Sequence, residues 1–108
     1  MPTIEDFKKL DIRVGTIIKA EINTKAKNPA YKLEVDLGEL GIKKSSAQIT
    51  EIYKPNDLMG KQVLAIVNLP SRQIANTISE ILILGTYSKE GVILITPDKK
   101  ATNGDKLG

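Results

Sequence analysis

Asp11-Ile12-Arg13-Val14-Gly15-Thr16-Ile17-Ile18-Lys19-Ala20-Glu21-Ile22-Asn23 reads as one long strand with a break in its middle. Ile12 and Val14 alternate with Asp11 and Arg13. Further on, Ile18, Ala20 and Ile22 alternate with Lys19 and Glu21. Period-two alternation marks a half-buried strand. The two halves are out of phase, and the slip falls at Gly15-Thr16. A glycine inside a strand where the pattern slips predicts a bulge or a sharp coil. A long, strongly bent first strand is what a small barrel needs to close on itself.

The flanking segments extend this reading. Thr3-Ile4-Glu5-Asp6 has the form of a capping box, and Ile4, Phe7 and Leu10 share one face of a short helix at about residues 4–10. That face suits either a dimer contact or a plug over one barrel end, with Phe7 assigned to the core. Thr24 to Ala30 is a polar loop. Tyr31 to Leu37 alternates cleanly, with Tyr31, Leu33, Val35 and Leu37 on one side. Gly38 to Gly41 is a turn, and a third strand runs from Ile42 to Ser46. A helical turn is expected over 47–53, and a second one, closed by Gly60, over 55–60. Gln62 to Asn68 is apolar at nearly every position and reads as a central strand. Two more strands follow at 81–84 and 92–95, joined by a hairpin connector at 85–91. Pro97 ends the last one, Asn103-Gly104 is a turn, and residues 105–108 can pair briefly. Evenly spaced short strands with one or two small helices indicate an all-β domain. The pattern fits a five-stranded OB-type barrel, a sandwich or another small barrel.

At 108 residues the chain forms a single domain, residues 1–108, whose modest core is almost entirely aliphatic. It has no cysteine and no histidine. Disulfides, thiol catalysis, Ser–His pairs and Cys- or His-ligated metals are therefore excluded. No catalytic residue, metal site or cofactor is expected. Sixteen basic residues against thirteen acidic ones leave a net charge of +3, which permits a polyanionic partner without requiring one. No apolar run approaches the ~20 residues of a membrane span, and the opening residues lack a basic-then-apolar leader. A cytoplasmic protein without membrane insertion is the expectation.

Several residue types could recognise a ligand. Asn68-Leu69-Pro70-Ser71-Arg72-Gln73-Ile74-Ala75 follows the central strand and carries one of only two arginines. Arg72 offers a planar fork of donors to a phosphate, base edge or carboxylate, and Asn68 and Gln73 can fix its orientation. Lys25, Lys27, Lys32, Lys43 and Lys44 lie in or beside the first loop and third strand, interleaved with Glu34, Asp36 and Glu39. They suit a phosphate-tracking groove or an ordinary solvated surface. Ser45 and Ser46, with no histidine to activate them, are hydrogen-bonding hydroxyls. Ser79 is another. Stacking aromatics are scarce, and Tyr31 falls on the core side of its strand. This disfavours tight, base-specific single-strand binding.

Together, Asp11-Ile12-Arg13-Val14-Gly15-Thr16-Ile17, Asn28-Pro29-Ala30-Tyr31-Lys32-Leu33, Ser45-Ser46-Ala47-Gln48-Ile49-Thr50, Asn68 through Ala75 and Ser79-Glu80 resemble the tRNA-binding domain family. Within it, they are most similar to the CsaA branch of protein-export chaperones. The likeness spans residues 3 to 104. It implies an OB-fold homodimer that binds unfolded or signal-bearing polypeptides alongside the export machinery, with tRNA as the alternative ligand. Side-chain chemistry and place along the barrel give the candidate binding set as Lys27, Lys32, Lys43, Ser45, Ser46, Asn68, Arg72, Gln73 and Ser79. The chain departs from the family's tRNA-binding appendages where Asn28 replaces a His, Tyr31 an Asp, and Ile81-Leu82 a Gly-Met pair. Glu80 beside Ser79 would repel a phosphate.

Overall fold

The computed structural model describes residues 1–108. The chain enters through α1 (Ile4–Lys8), which is shorter than the expected 4–10. Its capping box forms: the Asp6 carboxylate accepts from the Thr3 N–H at 2.9 Å, and the Asp6 N–H donates to the Thr3 hydroxyl at 3.4 Å. α1 buries none of its residues. Phe7, assigned to the core from sequence, is instead 37% exposed, because the chain covers this face only in part.

β1 (Ile12–Ile22) is the spine of the fold. Its first half pairs antiparallel with β4 (Gln62–Ile66) and its second half with β2 (Tyr31–Asp36). One bent strand therefore serves two neighbours. The irregularity predicted at Gly15-Thr16 lies two residues later, where the register with β2 slips between Ile17 and Lys19. Gly15 has a different reason to be small. A Cβ there would lie 2.5 Å from Val35 Cγ1 and 2.7 Å from Leu37 Cδ2, so β1 bends where β2 side chains fill the interior. Beyond the bulge, Ile18 and Ile22 face outward and are exposed.

β2 leads through a 3₁₀ turn (Gly38–Leu40) into β3 (Ile42–Ala47). Gly38 sits at φ +67°, a conformation that L side chains adopt at a cost, and a Cβ would meet the Asn103 carbonyl oxygen at 2.3 Å. The helical turn expected over 47–53 is absent. Ala47 completes β3, and the chain only turns at Thr50–Ile52. α2 (Pro55–Leu58) forms as expected, with the Asp57 carboxylate accepting from the Lys54 N–H at 2.8 Å. After β4, the segment read as a loop contains a hairpin of its own, β5 (Arg72–Ile74) and β6 (Thr77–Ser79), turning at Ala75 with φ 54°. β7 (Leu82–Ile83) follows. The connector expected at 85–91 is itself half strand: β8 (Gly85–Ser88) pairs with β9 (Gly91–Leu94).

The main sheet has the order β3-β2-β1-β4-β7. It curls until β3 meets the segment entering β7. The Glu80 N–H donates to the Lys44 carbonyl at 2.8 Å, and the Lys44 N–H donates to the Glu80 carboxylate at 3.1 Å. The Ser46 N–H donates to the Ser79 hydroxyl at 3.1 Å, and the Ser45 hydroxyl to the Ile81 carbonyl at 3.2 Å. The result is the expected OB-type barrel of five strands, nearly closed by side chains that take over from backbone pairing. Inside it Ile17, Leu33, Val35, Leu37, Leu58 and Val63 are fully buried. Tyr31 packs with them, its hydroxyl donating to the Tyr53 carbonyl at 2.6 Å. No helix is long and apolar enough to cross a membrane.

The C-terminal tail is tied back across β1. The Arg13 guanidinium reaches the Gly104 carbonyl at 3.0 Å and the Asp11 carboxylate at 2.6 Å, and the backbone at Lys106 forms an antiparallel β-bridge with that at Arg13. The hydrogen bond from Arg13 outweighs the opposing desolvation and holds the Asp11 carboxyl below its ordinary value. A carboxylate whose folded pKa is depressed lends stability that is complete above the unfolded value and is lost as pH falls through the folded one. Thermal melts should therefore lose stability below about pH 4, and an Asp11→Asn protein should lose less over the same window. Equal acid sensitivity of the two proteins would contradict this role.

Candidate binding site

Strand alternation divides the expected binding residues between two sides of the barrel wall. In β3, Lys43 and Ser45 share one face and Lys44 and Ser46 the other, because successive side chains point to opposite sides. Ser45 is 1% exposed and Ser79 is 2% exposed. Their hydroxyls close the barrel, so neither is free to meet a ligand. Asn68 is exposed but fully engaged. Its oxygen accepts from the Asp11 N–H at 2.9 Å and its amide donates to the Lys9 carbonyl at 2.8 Å, which fixes the path from α1 into β1. The Gln73 amide donates to the Ala75 carbonyl at 2.7 Å and holds the β5–β6 turn.

Of the remaining candidates, Lys32, Ser46 and Arg72 line two clefts. The first, of about 310 Å³, lies between the outer face of β1–β2–β3 and the tip of the β5–β6 hairpin at Asn76–Ile78. Lys19, Lys32 and Lys44 line it, interleaved with Glu21 and Glu34. Lys19 reaches Glu34 at 3.7 Å, and Lys32 reaches Glu21 at 3.6 Å. Two of its three lysines thus already have counterions. Lys43 is on the opposite face of β3, and Lys27, exposed in the β1–β2 loop, lines neither cleft.

The second cleft, of about 380 Å³, runs between the two hairpins over β7. Arg72 and Ile74 come from β5, two residues apart and so on one face. Gly85 and Tyr87 come from β8 in the same way, and Val92 from β9. Leu82, Ile83 and Leu84 form the floor, and Ser46 to Ile49 form the far wall. Arg72 is the only charged residue among those lining it. It enters no ion pair, whereas Arg13, the other arginine, is bound to Asp11. Tyr87 is among the residues lining the cleft, yet at 96% exposure its ring stands in solvent at the rim. Of the expected site residues, Arg72 and Ser46 meet here.

Tyr87, Ile74 and the outward side of β7 were not legible as site residues. The run Ile81-Leu82-Ile83-Leu84 reads simply as a strand, and within it Ile81 alone is buried and Leu82 is exposed. A tyrosine in a hairpin arm beside glycine, threonine and serine was the one available signal, since it has no apolar neighbour along its own strand to cover it.

Residues 12–106 match the family model described as "Putative tRNA binding domain". The chain belongs to the tRNA-binding domain family. Two solved structures are similar to it over essentially their whole length. The chaperone CsaA of Bacillus anthracis is 46% identical with a TM-score of 0.94, covering 100% of this chain and 99% of that one. The CsaA chaperone of Picrophilus torridus is 49% identical with a TM-score of 0.96, covering 100% of both chains. A methionine–tRNA ligase of Methanococcoides burtonii is 39% identical over 103 residues, which are 94% of this chain but 15% of the ligase. The tRNA-binding domain seen here thus spans only a small part of the ligases it resembles, and it matches the CsaA structures end to end.

Proposed function

We propose that this tRNA-binding domain is a CsaA-type, non-catalytic chaperone that captures extended polypeptide in the cleft over β7. The observation that carries the reading is an apolar cleft left open between two hairpins, with Tyr87 uncovered at its edge. Large exposed aromatics beside an apolar pocket are the usual anchors of protein recognition. β5 and β8 each pair on one side only, so their outer edges can also hydrogen-bond an added strand. Likeness to two CsaA chaperones over the full chain supports the same assignment. Clients would be unfolded or preprotein segments in the cytoplasm, handed on to export machinery.

The proposal includes a homodimer. Ile4 is 63% exposed, and α1 as a whole buries nothing. Phe7, Leu10, Leu69 and Leu107 cluster near it, because Asn68 binds the Lys9 carbonyl and the Leu107 N–H binds the Ile12 carbonyl. A capped helix with no core to serve suits a second copy.

A tRNA ligand is the second reading, supported by the family match. Its place would be the cleft of Lys19, Lys32 and Lys44 on the barrel face commonly used by OB folds. Of the three ammonium groups there only that of Lys44 lacks a carboxylate partner, so phosphate binding would compete with existing ion pairs.

Fluorescence anisotropy with a labelled extended apolar peptide and with bulk tRNA, each at low and moderate salt, separates the two. The peptide should bind with little salt dependence, since burial is not weakened by added salt. Tyr87→Ala should weaken it roughly tenfold while leaving the melting temperature unchanged. Steeply salt-dependent tRNA binding without peptide binding would contradict the first reading.

A further inference from the structure

The cleft over β7 is electrically one-sided. Apolar or uncharged side chains supply all of its lining except Arg72, and no carboxylate lines it. Arg72 itself is exposed, on the strand face that looks into the cleft, and makes no ion pair or hydrogen bond through its guanidinium. The other cleft differs: its lysines lie 3.6–3.7 Å from glutamates on neighbouring strands. An unpaired guanidinium beside apolar walls attracts an anion more strongly than one in open water, because the low-dielectric wall screens it less. Its fork geometry matches a carboxylate or a phosphate bidentately, and of the two an extended polypeptide carries the carboxylate.

Resting on the polypeptide reading above, we infer that the cleft selects extended apolar segments that carry a carboxylate at the position facing Arg72. Apolar side chains of such a segment would lie on Ile74, Leu82 and Ile83, and a Glu, Asp or C-terminal carboxylate would meet the guanidinium. A segment with Lys or Arg at that position would bring like charges together, which costs affinity directly and sets specificity by exclusion. The basic opening of an export leader is therefore the wrong segment for this cleft, and client contacts fall on acidic-apolar stretches elsewhere in the chain.

Three labelled peptides of identical alternating apolar sequence, differing only in a central Glu, Gln or Lys, test this by anisotropy. The wild-type protein should bind the Glu peptide about fivefold tighter than the Gln peptide, the scale of one partly exposed charge pair, and the Lys peptide weakest. Arg72→Glu should reverse the order, and Arg72→Lys should keep it. Because the Arg72 side chain is exposed and makes no ion pair, these variants should melt at the wild-type temperature. Equal binding of all three peptides would overturn the charge selection and leave the polypeptide reading intact. Failure of all three to bind would remove both. Equal ranking of the peptides together with loss of dimer mass in Arg72→Glu would give the cleft to a second copy and likewise overturn the inference.

Discussion

Leu33→Ala should lower the unfolding free energy by about 3–4 kcal/mol. Leu33 is 2% exposed in the middle of β2. Its neighbours across the two ladders are Ala20 and Ser45, both small, so neither can expand into the space that truncation leaves. The loss therefore includes a cavity as well as the missing transfer energy. For a domain whose whole stability is of order 5–15 kcal/mol, that is a large share. Urea unfolding should show a lower midpoint with an unchanged slope. Glu34→Gln, one residue along and facing outward, should shift the midpoint little, because a partly exposed ion pair is worth about 0–1 kcal/mol. Similar shifts for the two would mean that Leu33 is not at the centre of the core.

Gly15→Ala should cost about 1–3 kcal/mol, although alanine restricts the unfolded chain and would otherwise be mildly favourable. The added Cβ falls within 2.7 Å of two buried side chains and 3.1 Å from the Asp36 carbonyl oxygen. Val35 and Leu37 are both at 0% exposure, so neither has room to swing away. The same denaturant titration reads the effect. A neutral result would show that β1 and β2 do not approach as closely as described, and the bent spine of the barrel would need another cause.

These two positions also show what the sequence makes legible. Leu33 follows from plain alternation, because β2 has one face on the core and one on solvent. Gly15 announces itself as an anomaly in the pattern, but pattern alone cannot separate a bulge from a close packing contact with the neighbouring strand. The bulge at Ile17–Lys19 leaves only a run of two isoleucines as its trace. The β5–β6 hairpin was missed because it is three residues per arm, and because the residues β6 buries are the polar Thr77 and Ser79 while Ile78 faces out, the reverse of an apolar pattern. Phe7 was misplaced because an apolar helix face says only that it needs a partner, not whether that partner lies within the same chain.

The binding residues divide along the same line. Arg72 stands as a candidate from chemistry alone, as a forked donor on a loop after a rigid strand, and the structure leaves it without an ion pair at the edge of a cleft. Ser45, Ser79 and Asn68 have the same donor and acceptor groups, yet tertiary structure uses all three for closure and for anchoring α1. Tyr87 and Leu82 carried no such chemical mark. Their exposure emerges only when two hairpins stand apart over β7.

The most direct test of polypeptide capture over β7 is amide chemical-shift mapping of the ¹⁵N-labelled protein during titration with the central-Glu peptide. Shifts should concentrate in Arg72–Ile74 and in Leu82–Tyr87, with Gln48 and Ile49 following. Shifts confined to Lys19, Lys32, Lys44 and the Asn76–Ile78 tip, or no shifts at all, would contradict the assignment of this cleft to polypeptide.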